Sequence, residues 1–428
     1  MLQPPRGTRD FYPEDLRVRT WLFAHFREVA REFGYEEVDA PVLEHAELFI
    51  RKAGEEIVEQ LYHFTLHDRH LALRPELTPS LARMVMARQG SLALPLRWFS
   101  IPQCWRYERM TRGRRREHYQ WNMDLWGVPG VSAEAELIAA VFALVDRLGL
   151  AGDVKVRVSS RRLLEALAEG RELAPERFAP LCVLVDKLDK IGAEAVLAQL
   201  CDPAGPVGLA RGPAEELIGF LSVRNLGEAR RRLPRAAAPA LDELAELFEL
   251  LEAYGVAERV VFDASIVRGL AYYTGVVFEA FDAAGELRAL CGGGRYDRLV
   301  ESLGGKAVPA AGFGFGDAVV GELLLARDRL PSLGRPLDDV VIAIEGSAGE
   351  AALRRAAIRH AGALRRAGRG VELVLGVPLK RALRNADRAG AARVHLIGPE
   401  ELERGAAKVR DLATGEERDQ PLAVPAPR

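Results

Sequence analysis

Cysteine is scarce in this chain: four residues among 428, at positions 104, 182, 201 and 291, with no CxxC pair and no histidine at zinc-ligand spacing. That scarcity argues against a disulfide framework or a structural zinc site, and points to free thiols in a reducing cytoplasm. Long apolar runs are also missing; none approaches the roughly 20 residues needed to span a bilayer. The opening MLQPPRGTRDFYPED lacks the charged-then-apolar pattern of a signal peptide. The expectation is therefore a cytoplasmic protein without a membrane partner. An excess of one charge is absent too, since Lys+Arg 59 against Asp+Glu 61 leaves a formal charge of −2. Near-neutrality neither marks nor excludes a nucleic-acid partner, because a basic patch can be balanced by acidic surface elsewhere. Hydrophobic residues at 49% and charged residues at 28% describe a globular chain. Its length exceeds one ordinary core, so two or three domains are expected.

The most informative stretch runs from Cys104 to Gly127, CWRYERMTRGRRREHYQWNMDLWG. On either side of the basic run 112–116 the residues alternate as two strands of a hairpin would. In the second arm Tyr119, Trp121, Met123 and Leu125 share one face, and Gln120, Asn122 and Asp124 the other. In the first arm Trp105 and Tyr107 oppose Arg106 and Glu108. A hairpin that buries its aromatic face collects Arg106, Glu108, Gln120 and Asp124 on the far side. Such groups are expensive to desolvate unless a ligand or mutual pairing uses them. A binding surface and a solvated cross-strand ion-pair ladder both fit this spacing.

These residues resemble motif 2 of the class II aminoacyl-tRNA synthetases, and RYERMTRGRRREHYQWNMD is most similar to the histidyl-tRNA synthetase family in its cyanobacterial and plant-organelle version. A second stretch, Arg268-Gly269-Leu270-Ala271-Tyr272-Tyr273-Thr274-Gly275, resembles the RGLxYYTG wording of the same family. The resemblance extends over nearly the whole chain. It implies an α+β fold, with an antiparallel class II sheet flanked by helices, a helical insertion and a C-terminal α/β domain similar to an anticodon-binding domain.

The chain order fits that plan. A helix is expected over 17–33, with Glu14 or Asp15 near its cap and Gly34 as its stop. A strand over 35–44 follows, carrying Pro41, which cannot donate to a ladder; the resemblance makes it motif 1, the homodimer interface. A short strand at 71–73 leads through Arg74-Pro75-Glu76-Leu77-Thr78-Pro79 to a helix capped by Thr78 or Ser80. Further strands are expected at 94–101, 154–158, 260–262, 276–281, 287–291 and 310–316, with helices at 133–148 and 317–327. Between about 160 and 249 the composition is rich in Ala, Leu, Arg and Glu, with helical periodicity and no strand signal. The segment at 330–336 reads as a linker. Beyond it strands at 340–344, 371–375 and 393–397 alternate with helices at 350–367 and 379–389, and a hairpin turns at 411–416. The expected domains are thus 1–160 with 250–330 (catalytic), 161–249 (insertion) and 337–428 (anticodon-binding-like).

The resemblance implies histidine–tRNA ligation, with ATP and its Mg2+ as substrate complex, histidine and tRNA(His) as partners, and no tightly bound metal. In amino-acid activation, negative charge concentrates at the α-phosphorus of ATP, which fixed guanidinium groups would stabilise. Arg106 and Arg268 are the candidates, Arg268 standing where other class II enzymes place a metal. For ATP the implied contacts are Arg106, Glu108, Arg114, Arg116, Gly312, Gly314 and Gly316. Glycines two apart on a strand leave one face bare, so a planar base can lie on the backbone. They do not form a dinucleotide fingerprint, because the third glycine is misplaced and no βαβ unit surrounds it. For histidine the implied residues are Glu76, Leu77, Thr78, Gln120, Asp124, Tyr272 and Tyr273. Bonding both imidazole nitrogens would reject other amino acids strongly. Lys380, Arg381, Arg384 and Arg388 form a basic stripe suited to an RNA backbone or simply to solvent. Arg230–Arg232 and Arg235 of the insertion read better as a solvated basic face.

Two departures matter. The helix after the glycine strand begins Gly316-Asp317-Ala318-Val319-Val320, without the motif 3 arginine that meets the γ-phosphate in most class II enzymes. Arg114 or Arg116 would have to replace it, and Asp317 reads as an N-cap. Ala271 also stands where the family often has an acidic residue. A second function therefore stays open: a silent, histidine-sensing regulatory paralogue such as the ATP phosphoribosyltransferase regulatory subunit. The intact hairpin and the C-terminal domain favour the enzyme.

Overall fold

The computed structural model describes residues 2–50, 55–169, 173–344 and 350–422; the expected insertion and C-terminal segments also take in 170–172, 345–349 and 423–428, which lie outside the described residues. Contacts divide the chain into two units, one of residues 1–11 with 18–330 and one of residues 12–17 with 331–428. Among the described residues no helix is long and apolar enough to cross a membrane.

In chain order the strands of the first unit are β1 (Glu36–Glu37), β2 (Leu43–His45), β3 (His63–Leu66), β4 (Arg69–Leu73), β5 (Leu96–Ser100), β6 (Gln103–Trp105), β7 (Glu117–Trp126), β8 (Val154–Ser160), β9 (Val260–Phe262), β10 (Val276–Asp282), β11 (Cys291–Arg295) and β12 (Ala310–Gly316). Nine of them form one sheet in the order β1-β5-β7-β12-β11-β10-β8-β9, with β6 pairing β7. The ladder is antiparallel except at β1·β5 and β8·β9 near its ends. Alternation along β7 works as read: Trp121, Met123 and Leu125 enter the large core shared with helices Pro13–Glu32, Ser132–Arg147 and Ala238–Ala253. The opposite face carries Trp126, Tyr296, Tyr272 and Tyr273 against helix Thr78–Arg88. Residues between β8 and β9 form only helices among those described, which agrees with their Ala/Leu-rich periodicity.

Several local expectations change. The strand expected over 35–44 is two short strands in different sheets, β1 in the large one and β2 in a three-stranded β2-β4-β3 sheet. Pro41, without an N–H, lies in the join between them. The first hairpin arm leaves the sheet after Trp105: residues 106–116 carry one isolated bridge, Thr111–Arg114, and are otherwise irregular, tied by main-chain bonds such as Arg106 N–H to the Arg116 carbonyl at 2.8 Å and Tyr107 N–H to the Gln60 carbonyl at 2.7 Å. Tyr107 is therefore exposed, not buried beside Trp105. The strand expected at 287–291 begins only at Cys291, so the glycines are the strand itself. Helix Thr78–Arg88 has Leu77 at its N-cap and no side-chain cap; Pro79 in its first turn needs no N–H partner.

The second unit is a five-stranded sheet built from β13 (Asp339–Ala343), β14 (Val371–Val374), β15 (Arg393–Ile397), β16 (Ala406–Asp411) and β17 (Glu417–Pro421), in the order β14-β13-β15-β16-β17. Its first three strands are parallel and joined through helices Glu350–Arg366 and Leu379–Arg388; the last two form the closing hairpin.

Candidate active site

Pairing register builds the floor of the site. One rung of the large sheet runs Arg157, Glu279, Gly292, Gly314, Asn122 across β8, β10, β11, β12 and β7. Two residues along, a second rung runs Val277, Gly294, Gly312, Asp124, Trp98. Because alternate residues share a face, the glycines clear the middle of the sheet while charged and amide side chains rise at its flanks. A methyl group at Gly292 would overlap the Arg268 guanidinium, and one at Gly312 would overlap the Tyr296 hydroxyl and the Asp124 carboxylate. At Gly314 it would stand 3.2 Å from Gln120 Oε1, while Gly316 meets nothing closer than the Leu290 carbonyl at 3.8 Å.

Above this floor lies a cavity of about 670 Å³ lined, among others, by Glu76, Thr78, Arg106, Glu108, Arg114, Gln120, Arg268, Tyr272, Tyr273, Gly312, Gly314 and Gly316. Arg106 and Arg268, 162 positions apart in sequence, thus face one space. Arg106 donates from Nε to the Pro75 carbonyl at 2.9 Å, which leaves the rest of its fork toward the cavity. Arg268 donates to Glu279 at 2.7 Å, and its Nε is buried without a partner among the described residues. Burial alone would lower the Arg268 pKa; Glu279, Tyr273, Asp186 and Cys291 together outweigh it, so the pKa lies above its ordinary value and the group is held cationic. Arg114 is paired with Glu108, whose carboxyl stays below the usual range because that hydrogen bond and Arg106 overcome its burial.

A fourth guanidinium, Arg288, enters the cavity from the loop between β10 and β11. Burial first, then the charges of Arg114, Arg106 and Arg268, push its pKa down to about 10. Arginines crowded in this way are what a polyanionic ligand would relieve. Arg288 went unnoticed in the sequence, since nothing in GELRALC distinguishes it from a surface arginine. His118, also on the wall, is kept neutral by burial and by Arg106, with its pKa lowered to about 3.

The carboxylates lie deeper. Glu76 accepts from the Tyr272 hydroxyl at 2.7 Å, and burial raises its pKa although Arg106, Tyr272 and Arg268 oppose the rise. Asp124 is fully buried; it accepts from the Tyr296 hydroxyl and, at 3.5 Å, from Thr78 Oγ1. Burial lifts its pKa to about 7. Glu76 Oε1 and Asp124 Oδ2 are both buried without a hydrogen-bond partner among the described residues. The tyrosine bonded to Asp124 is Tyr296, while Tyr272 bonds Glu76. Tyr296 follows the Gly-Gly-Gly-Arg run at the end of β11, a sequence signal available but not used.

Other expected residues lie elsewhere. Arg116 stacks 3.7 Å over the Tyr107 ring and donates toward the Glu108 and Arg6 carbonyls, apart from the cavity-lining set. Leu77 is a core residue of helix Thr78–Arg88. Asp317 is not an N-cap: Gly316 holds that place, and the Asp317 carboxylate accepts the Tyr119 N–H at 2.9 Å and pairs with Arg9 at 3.0 Å. In the second unit Lys380, Arg381, Arg384 and Arg388 are all exposed, while Ala382 and Ala386 of the same helix are buried. In the helical segment Arg230 pairs with Asp242 and Arg232 with Glu228, as a solvated face would.

The family model for histidyl-tRNA synthetase matches residues 7–316, and that for an anticodon binding domain matches residues 339–423. The chloroplastic/mitochondrial histidine–tRNA ligase of Arabidopsis thaliana is 51% identical over 419 residues, covering 97% of this chain and 84% of its own. The histidine–tRNA ligase of Opitutus terrae is 40% identical over 422 residues, covering 97% and 95%. A solved Bacillus halodurans structure, described as an ATP phosphoribosyltransferase regulatory subunit/histidyl-tRNA synthetase, superposes with a TM-score of 0.74 at 27% identity, covering 93% of this chain and 98% of its own. The histidyl-tRNA synthetase of Nostoc sp. PCC 7120 shares the fold, with a TM-score of 0.76 at 22% identity and coverage of 98% and 97%. With a family match spanning most of its length and relatives this similar, the chain belongs to the histidyl-tRNA synthetase family.

Proposed function

We propose that the protein ligates histidine to tRNA(His) in two steps at the cavity lined by Arg106 and Arg268. In the first, a carboxylate oxygen of histidine attacks the α-phosphorus of ATP and pyrophosphate leaves, giving histidyl-adenylate. In the second, a hydroxyl at the 3′ end of the tRNA attacks the adenylate carbonyl and AMP leaves. Mg2+ arrives with ATP as part of the substrate. The observation that carries this reading is that guanidinium groups from two distant segments meet over one glycine-cleared floor, where developing negative charge would be stabilised without reorganisation.

The roles follow from chemistry. Arg106 and Arg268 take the carboxylate and α-phosphate oxygens. Arg114 and Arg288 take the distal phosphates, in place of the motif 3 arginine that Val319 and its neighbours do not supply. Arg116, stacked on Tyr107, is too engaged to be a first choice. The bare strand at Gly314 and Gly316 accepts the adenine. The free oxygens of Glu76 and Asp124, with Gln120, Thr78 and Tyr272, hold the ammonium and imidazole of histidine. Tyr273 lines the wall beside them. The exposed stripe Lys380, Arg381, Arg384, Arg388 contacts the tRNA backbone, and the region 35–44 forms a homodimer interface. The catalytic domain is 1–160 with 250–330, the helical insertion 161–249, and the anticodon-binding domain 337–428. The free cysteines suit a reducing compartment, which we take as the cytoplasm.

The regulatory alternative drew its support from the absent motif 3 arginine. Relatives that are histidine–tRNA ligases at up to 51% identity do not favour it. Histidine-dependent pyrophosphate exchange tests the proposal. Exchange is expected for the unaltered protein and its loss, by about 100- to 1,000-fold, for Arg268→Ala, the range set by removing one main stabiliser of transition-state charge. Histidine binding without exchange in the unaltered protein would overturn it.

A further inference from the structure

The turn that presents Arg268 is gripped from behind by a second arginine. Arg161, the first residue of helix Arg161–Glu169, is 3% exposed. Its guanidinium donates to the main-chain carbonyls of Val267 at 3.0 Å, Ala271 at 3.4 Å and Tyr273 at 3.3 Å, and to that of Arg268. Among the described residues no carboxylate pairs with it. A buried charge without a counterion is costly, and here carbonyl dipoles of one short segment compensate it. A planar fork suits this task, since one group can bond several carbonyls at fixed angles.

The segment needs such a brace. Arg268 has φ of 61°, in the left-handed region that side-chain-bearing residues rarely adopt. The backbone N–H of Arg161 also donates to the Gly275 carbonyl at 2.9 Å, and Arg162 Nε to the Thr274 carbonyl at 3.3 Å. The start of one helix therefore holds six of the nine carbonyls from Val267 to Gly275. On the other side of the turn the Arg268 guanidinium lies over Gly292 and against Glu279.

We propose that Arg161 is a positioning residue, which holds the 267–275 turn in its left-handed course so that Arg268 presents its guanidinium to the reacting phosphate. This inference rests on the role given to Arg268 above, and it adds a residue that touches no substrate.

The experiment is steady-state pyrophosphate exchange on the full chain, with Arg161→Lys, Arg161→Gln, Arg268→Ala and the double variant Arg161→Lys/Arg268→Ala, alongside thermal unfolding. A lysine keeps the charge but not the fork. Misplacement by about 1 Å costs on the order of 100-fold, so kcat should fall by about that factor for Arg161→Lys, while the KM for ATP stays within about threefold. The double variant should be no slower than Arg268→Ala alone, because the first change acts only through the second residue. Multiplied effects in the double variant, a loss confined to KM with kcat kept, or failure of both Arg161 variants to fold would make Arg161 a structural residue and overturn the inference. Full activity in Arg268→Ala would instead overturn the functional reading itself, so the two failures are distinguishable.

Discussion

Two groups of buried carboxylates in the first unit meet opposite fates. Glu134, with no exposed surface, receives both prongs of Arg295 at 2.7 and 2.6 Å, and Arg295 spends its remaining donors on Asp297 and the carbonyls of Val128 and Gly130. Asp124 and Glu76 are as deeply buried, yet each keeps one oxygen unpartnered among the described residues. Burial raises the pKa of all three. The difference lies in what meets them. A saturated pair joins helix Ser132–Arg147 to the end of β11, whereas unsaturated carboxylates keep hydrogen-bonding capacity for a group from outside.

That contrast can be broken from either side. The largest effect is expected for Asp124→Asn: kcat/KM for histidine should fall by about 1,000-fold or more, as a site built around a specific hydrogen bond loses it, with the unfolding temperature unchanged or raised. Glu134→Ala should do the reverse. It leaves Arg295 buried and uncompensated, for a stability loss of about 3–5 kcal/mol, readable as a shifted denaturant midpoint, while the KM for histidine measured below that midpoint stays near the original. If both variants lose stability alike, the distinction between the two groups fails.

A smaller effect sharpens the comparison by pH. The folded protein binds the Asp124 proton more tightly than the unfolded chain does, so this group's contribution to stability is present at low pH and is lost as pH rises toward about 7. In the role proposed for Asp124, histidine binding needs the charged form. Below about pH 7 kcat/KM for histidine should therefore fall by up to about tenfold per unit, and Asp124→Asn should lack that limb, retaining only the titration of the substrate's own imidazole. An unchanged profile in the variant would remove Asp124 from the histidine site.

Much of this was legible in the chain. Strand β7 announced itself because period-two alternation is enforced residue by residue when one face is buried, and the even positions then had to point at the site. The glycine strands were visible as runs, but their use was not: that Gly292 receives Arg268 and Gly312 receives Asp124 with Tyr296 depends on register between strands far apart in sequence. The first hairpin arm misled for a related reason. Alternation in Trp105-Arg106-Tyr107-Glu108 is too short to outweigh the pull of the following polar loop, and the sheet ends where the pattern still continues. Arg161 and Arg288 carried no local signal at all, because their surroundings are created only when distant loops close on them.

The notch at Gly292 has a consequence for how the protein tolerates change. The three atoms nearest an added methyl all belong to the Arg268 guanidinium, the far end of a long side chain, which would have to shift from Glu279 while the backbone keeps its course. Gly292→Ala is expected to express and melt almost normally while losing most of its pyrophosphate exchange. A survey of variants scored by abundance would pass it as harmless, and one scored by growth on the enzyme's activity would rank it beside loss of Arg268. A position with no side chain of its own would then show the same selective constraint as the charge it makes room for.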